Sequence, residues 1–467
     1  MAVSELQTAP DQTLVEAVME VIRQRIATRS LTPGARVPSL RRLAGSLGVS
    51  KSTAVEAYDR LAAEGAIVAR PGSGFFVTRR TRPFSLAPRA PKVDQAIDPL
   101  WIMRQSLDLG GDVPKPGCGW LPPHWLPEAA LRRAMRGLAR DSTADLGEYD
   151  SPLGFAPLRS HLADRLDGRG IDAGPDQILL TDSGTQAIDL VCRFLLQPGD
   201  TVLLDDPCYF NFQAIMRAHR VTVIGVPYTT SGPDLEAFAR AAAEHRPRLY
   251  VTNATLHNPT GASLAAASVH RLLKIAEAHD IVVVEDDIFA DFEVEPAPRL
   301  AAFDGLERVI HIGSFSKTLS AAVRCGFVAA RPDWVDGIAD LKLATSFGNG
   351  AMTAQLVHRM LIDGSYRRHM EAVRGKLARA MTETARRLRA AGLTLWSEPR
   401  GGMFLWAALP DGLDSAPVAR RALEEGVVLA PGNVFSPSGS AGRYLRFNVA
   451  QCAEPRIFET LRRAMSP

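Results

Sequence analysis

Residues 309–324, Val-Ile-His-Ile-Gly-Ser-Phe-Ser-Lys-Thr-Leu-Ser-Ala-Ala-Val-Arg, run from an apolar stretch into a serine-rich turn with a lysine at its centre. Val309 to Ile312 reads as a buried strand, so Lys317 emerges just past a strand end, into a site and not onto an open face. Burial and neighbouring cations lower the pKa of an amine, and a neutral amine condenses with an aldehyde. The hydroxyls of Ser314 and Ser316 and the guanidinium of Arg324 supply what a phosphate needs nearby. Aldehyde plus phosphate is the chemistry of pyridoxal 5'-phosphate. A lysine among serines is more often a solvated surface residue, so the other parts of such a site must be found elsewhere in the chain.

Upstream the same grammar repeats. Apolar strands are expected at Gln177 to Leu180, Thr201 to Leu204, Val221 to Val226, Arg248 to Thr252, Ile281 to Val284 and Cys325 to Ala329, with helices such as Gln186 to Phe194 and Ser268 to His279 between them. Uninterrupted apolar strands alternating with helices imply an α/β body with a mainly parallel sheet covered on both faces. Ligands bind such sheets beyond the carboxyl ends of the strands. After the first strand, Ser183, Gly184 and Thr185 open a helix and form a natural phosphate seat. After the second, Tyr209 is placed to stack on a pyridine ring. His257-Asn258-Pro259-Thr260-Gly261 is a turn shaped by Pro and Gly that leaves Asn258 to bond a phenolate oxygen. Ile281 to Val284 runs into Glu285-Asp286-Asp287, where an ionised Asp286 would keep a pyridine nitrogen protonated.

The order of these pieces resembles the fold-type I, aspartate-aminotransferase-like enzymes over roughly residues 105–460. The similarity includes Tyr149 and the Gly154 to Arg159 segment in EYDSPLGFAPLR, and Arg446 in RYLRFNVA. The resemblance implies that Tyr149 reaches the phosphate of a neighbouring subunit and that Arg446 grips a substrate carboxylate. It also marks a departure. Relatives carry a tyrosine two or three residues after the aspartate, where this chain has Ile288 and Phe289, so one hydrogen bond to the phenolic oxygen is missing unless another group supplies it.

The chain's net charge of +3 hides an asymmetry. Residues 1–92 hold fourteen Lys/Arg against seven Asp/Glu, a balance of +7, which leaves −4 for the other 375. A basic N-terminal piece on a mildly acidic body points to a nucleic-acid-binding module. Leu14, Val18, Val21, Ile22 and Ile26 mark one helical stripe. Ser39 caps a short helix carrying Arg41 and Arg42, and Gly48 ends it. Ser50 caps a third helix, Lys51 to Glu64, with Val55, Tyr58 and Leu61 or Ala62 facing inward. Two short helices across a tight turn make a helix-turn-helix that offers Ser50, Lys51, Ser52 and Thr53 to a major groove. Ala66 to Arg70 and Phe75 to Thr78 read as a hairpin wing around Pro71 to Gly74. Residues 12–78 resemble the winged-helix domain of the GntR regulators through PSLRRLAGSLGVSKSTAVEAYDRLAAEGAIVARPGSGFFV. That likeness implies DNA-facing positions at Arg41, Ser50, Lys51, Ser52 and Gly74.

The expected organisation is a winged helix-turn-helix over residues 1–78, a Pro/Arg-containing linker over 79–100, and an aminotransferase-like body over 101–467. The body divides into a large subdomain, about 145–345, and a smaller α+β subdomain, about 346–467. The combination resembles the MocR subfamily. It implies a transcriptional regulator that binds double-stranded DNA and senses an amine or amino acid, or the cofactor itself, through the bond at Lys317. The alternative is an active aminotransferase. A homodimer is expected from the same resemblance. With 46% hydrophobic residues, no membrane-length apolar run, no signal-peptide pattern and five scattered cysteines, the chain reads as cytoplasmic, with reduced, mostly buried thiols and no metal site.

Overall fold

The computed structural model describes residues 13–27, 30–32, 34–78, 104, 106, 107, 113–141 and 147–466. The linker expected at 79–100, with Arg79, Arg80, Arg82 and Arg89, lies outside them. The chain divides into two units, Met1–Arg89 and Ala90–Pro467.

The first unit holds α1 (Leu14–Ala27), α2 (Leu40–Leu47), α3 (Lys51–Ala63) and the antiparallel strands β1 (Ile67–Arg70) and β2 (Gly74–Val77). Ser39 Oγ accepts from the Arg42 amide at 3.3 Å, and Gly48 ends α2 at φ +66°, a conformation open to glycine without strain. Ser50 caps α3 in the same way, accepting from the Thr53 amide at 3.0 Å. Tyr58 on α3 donates to the Pro38 carbonyl at 2.8 Å and sets its ring edge-on to Phe75, locking helix, turn and wing together. Two packing expectations are corrected. Leu14 is exposed, and α1 instead buries Ala17, Val18, Met19 and Ile22; Val55 is only half-buried, because Ala54 and Ala57 allow α3 to approach α1 closely.

The second unit is organised by an eight-stranded sheet. Its strands are β3 (Ile178–Thr181), β4 (Thr201–Asp206), β5 (Thr222–Thr229), β6 (Gly232–Pro233), β7 (Leu249–Thr252), β8 (Val282–Asp286), β9 (Val309–Ser314) and β10 (Gly326–Ala329). The spatial order is β3-β10-β9-β8-β7-β4-β5-β6. β5, β4, β7, β8 and β9 run parallel, while β10 is antiparallel to both β9 and β3. Helices cover both faces and form two apolar cores. A second sheet follows, from β11 (Thr394–Leu395), β12 (Phe404–Ala408), β13 (Ala430–Pro431) and β14 (Tyr444–Asn448), in the order β11-β12-β14-β13. All five cysteines are buried and free. Among the described residues, no helix is long and apolar enough to cross a membrane.

Candidate functional site

The loops past β3, β4, β8 and β9 converge on one pocket. Ser183, Gly184, Thr185, Tyr209, Asp286, Ile288, Ser314, Ser316, Lys317 and Arg324 line it. The sequence placed these residues at strand ends scattered over 140 positions; the parallel order of β4, β7, β8 and β9 brings those ends to one edge of the sheet.

One wall is rich in donors. Gly184 opens the helix Gly184–Leu195, whose first residues line the pocket, and Ser183 caps it by accepting from the Gln186 amide at 3.1 Å. Ser314 Oγ donates to Ser316 Oγ at 3.1 Å, and Arg324 Nη1 reaches Ser316 Oγ at 3.4 Å from an otherwise exposed side chain. A helix N-terminus, hydroxyls and a guanidinium together make an anion seat.

Asp286 lies deeper. Strand alternation turns its neighbour Asp287 the other way, onto Arg299 at 3.1 Å, so that only Asp286 faces the pocket. Burial pushes its carboxyl up to about 7, although the Ile288 amide donates to Oδ1 at 3.2 Å. A buried carboxyl in this state calls for a cationic partner. Lys317 shows the converse: burial first, then the Arg446 charge, lowers its ammonium to about 8. Its Nζ makes no hydrogen bond among the described residues. Tyr209 is half-buried with its phenol pushed up to about 12 by burial, and its ring meets Phe212 edge-on at 5.3 Å.

Arg446 comes from β14, on the other sheet. It is 1% exposed and sits against the rings of Phe404, Phe435 and Phe210 at 4.5, 4.8 and 5.8 Å. Nη1 donates to Asn258 Oδ1 at 2.7 Å and Nη2 to the Gly117 carbonyl at 2.6 Å, while Nε has no partner. No carboxylate pairs with it among the described residues, and burial lowers its pKa to about 10.

The segment Gly117-Cys118-Gly119-Trp120 was not singled out from the sequence, yet it floors this space. A β-carbon built on Gly119 lies 3.7 Å from Lys317 Nζ and 3.8 Å from Arg446 Nη2, and one on Gly117 would overlap Leu429 at 2.5 Å. Asn448 holds the segment by donating to the Cys118 and Trp120 carbonyls at 3.1 and 2.8 Å. The Gly-x-Gly flanked by Pro114, Pro116 and Pro122 was the available signal, since glycines inside a proline-rich stretch mark close backbone approach.

Other expected site residues fall differently. Asn258 is not free: Arg446 occupies its Oδ1, which leaves its amide hydrogens as donors. Tyr149 is 83% exposed and lines a separate hollow with Phe155 and His358, its ring 4.8 Å from Phe347. Phe289 turns into the core, edge-on to Phe404 at 5.3 Å, and Ile288 lines the pocket, so neither supplies a hydroxyl.

In the first unit, Arg41, Arg42, Ser50, Lys51, Ser52 and Gly74 are exposed and Thr53 half-buried. Ser50 Oγ lies 2.7 Å from Ser52 Oγ and 2.8 Å from Thr53 Oγ1, so the cap of α3 ties up the hydroxyls of its first turn. Gly74 adopts φ +94° beside the Arg36 guanidinium.

The pattern of the aminotransferase class I and II family matches residues 121–463. The chain belongs to that family. Residues 14–77 match the bacterial regulatory proteins of the gntR family, so a GntR-type DNA-binding domain is fused to the family's body, the arrangement of MocR-type regulators. An uncharacterized HTH-type transcriptional regulator of Bacillus subtilis is 27% identical over 93% of this chain and 92% of its own length. The 2-aminoadipate transaminase of Thermus thermophilus is 31% identical, covering 74% of this chain and 87% of that protein. The crystal structure of the α-aminoadipate aminotransferase from the same species, complexed with N-(5'-phosphopyridoxyl)-L-leucine, superposes with a TM-score of 0.71 at 29% identity, over 80% of this chain and 95% of that one. The cofactor of this aminotransferase-like body is pyridoxal 5'-phosphate. The chemistry of the donor set fits it: an anion seat at one end, a buried carboxyl lacking a cation, and an amine of lowered basicity between them.

Proposed function

We propose that this GntR-type, MocR-like transcriptional regulator binds pyridoxal 5'-phosphate at Lys317 and senses an amino acid there. The observation that carries the reading is that Lys317 and Arg446 face the same space above Gly119, one as an amine of lowered basicity and the other as a buried cation with no carboxylate partner among the described residues. When bound, the cofactor supplies an electrophilic aldehyde carbon and an electron-withdrawing ring.

The chain's own residues do the rest. Ser183 to Thr185, Ser314, Ser316 and Arg324 would hold the phosphate, and Tyr209 would cover the ring face. Asp286, ionised against a pyridinium, would hold the nitrogen, and Asn258 would donate to the phenolic oxygen. Arg446 offers a ligand carboxylate its planar fork inside an aromatic box that excludes water, where a charge-assisted pair is stronger than in solvent. Lys317 would hold the cofactor through its ε-amine when no ligand is bound. A ligand that binds one arrangement of the body better than another shifts the population of that arrangement, and this is what the DNA-binding unit reads. We further propose a homodimer, in which the exposed Tyr149 completes the phosphate seat of the neighbouring subunit.

The test is a spectral titration of the purified full-length protein with a panel of amino acids and amines, alone and with DNA from its own upstream region. Visible cofactor absorbance that shifts with one ligand class, is absent in Lys317→Ala, and changes together with DNA affinity is the expected result. Fast conversion of an amino acid to its keto acid, with DNA affinity indifferent to ligand, would assign the body to catalysis instead.

A further inference from the structure

The body carries a charge anomaly. Residues 93–467 sum to −4, yet the two helices Glu128–Arg140 and Ser365–Ala390 hold twelve Lys/Arg against three Asp/Glu. These 39 residues carry +9 and the rest of the body −13. Both helices pack on the helix Ala351–Ile362 between them, and Lys376 of the longer one lies 5.4 Å over the ring of Trp125, just ahead of the shorter one.

The cations are arranged in stripes. On the shorter helix Arg132, Arg133, Arg136 and Arg140 are exposed, opposite the buried Ala134 and Leu138. On the longer one Arg367, Arg368, Arg379, Arg386 and Arg389 are exposed, opposite Met370, Val373, Leu377 and Leu388. Some are neutralised: Arg132 pairs with Glu128, Arg386 with Glu383 and Arg389 with Glu398. Arg133, Arg136, Arg140, Arg368 and Arg379 make no ion pair among the described residues. Five free guanidiniums on two helices that share one neighbour, in a net-negative body, are an unbalanced field that favours an extended polyanion.

We propose that this face of the aminotransferase-like body binds the phosphate backbone of duplex DNA flanking the site read by the helix-turn-helix. The partner follows from charge complementarity and from the GntR-type domain, which keeps duplex DNA within reach of the same chain. The free arginines of the longer helix, Arg368 and Arg379, stand about 17 Å apart along its axis at 1.5 Å per residue, roughly half a turn of B-DNA. The arginines of this face read no sequence; they add affinity through counterion release.

The proposal rests on the regulator reading, and its test separates the two. Full-length protein and the variant Arg133→Gln/Arg136→Gln/Arg368→Gln/Arg379→Gln are compared by hydroxyl-radical footprinting and by the salt dependence of binding to a long duplex from the protein's own upstream region. Thermal melting verifies that the variant is folded. The expected result is protection of flanking DNA by the wild type only, with the half-site protection retained in the variant. The salt slope should fall by about 0.9 for each phosphate that the variant no longer neutralises. Equal footprints and slopes overturn the proposal and leave the regulator reading intact, as does variant-sensitive binding to anionic lipid vesicles with an unchanged footprint. Loss of half-site and flank protection together shows that the arginines act through the reading head, and overturns it too. A wild type that binds no DNA overturns both.

Discussion

Arg446 donates from Nη1 to Oδ1 of Asn258 at 2.7 Å, across 188 residues of chain and between the two sheets of the body. The bond couples the proposed carboxylate receptor to the turn proposed to meet the cofactor's phenolic oxygen. It also fixes the guanidinium without neutralising it, because a carboxamide shares a hydrogen bond but carries no charge.

Replacing Arg446 by Met removes a buried cation that has no counter-charge, at similar volume. The ligand-free protein should keep or gain thermal stability. Affinity for amino acids should fall by about 2 kcal/mol or more, roughly thirtyfold, the scale of a missing charge-assisted pair. Amines lacking a carboxylate should bind as before. Titration of the cofactor absorbance with an amino acid and with its decarboxylated amine checks this; equal losses for both would remove the carboxylate assignment.

Lys317 predicts a pH dependence of cofactor capture. Its folded pKa of about 8 is depressed from 10.5, so the reactive neutral form grows about tenfold per unit as pH rises toward 8, then levels off. Stopped-flow mixing of cofactor-free protein with pyridoxal 5'-phosphate between pH 6 and 9 should give that profile. A rate still climbing steeply above pH 9 contradicts it.

Asp286→Asn should separate stability from binding. The carboxyl's folded pKa, about 7, is raised above its ordinary 3.8. Its contribution to the cofactor-free protein is therefore fully present below pH 4 and is lost as pH rises through 7. The Asn variant escapes this cost. Without cofactor it should melt higher than wild type at pH 8 and not at pH 4, while holding pyridoxal 5'-phosphate more weakly at both. Melting curves at the two pH values, with and without cofactor, decide the matter.

In the first unit, Lys51→Ala and Arg41→Ala should each lower the salt slope of DNA binding by about 1 and leave the cofactor absorbance untouched. Ser50→Ala should cost about 1 kcal/mol of that unit's stability through its cap on α3. Anisotropy titrations at several salt concentrations, set beside melting curves, distinguish the two effects, since loss of a helix cap lowers the melting temperature while loss of a phosphate contact lowers the slope.

Much of this site was legible because its parts sit where local rules hold. Lys317, Asp286 and Ser183 each follow an apolar strand, and a parallel sheet gathers such positions whatever the loops do. The helix caps Ser39 and Ser50 were readable for the same reason, since a cap is satisfied within three residues. What escaped depended on distant partners. Leu14 fits the stripe of α1 by periodicity but stays exposed among the described residues, and Val55 yields its place to Ala54 and Ala57 because close helix approach favours small side chains.

The sequence by itself determined the two-unit plan, the strand-end chemistry and the cofactor, because strand periodicity, capping and motif order are set by neighbours along the chain. Only the tertiary structure decided that Lys317 and Arg446 share the space beside Gly119, that Arg446 is held by Asn258 without a counter-charge among the described residues, and that Phe289 turns toward Phe404. It also decided that the arginines of two helices 230 residues apart flank one helix between them. These are relations between segments remote in sequence, and they are fixed by which apolar faces pack together and which charges are left over once they have.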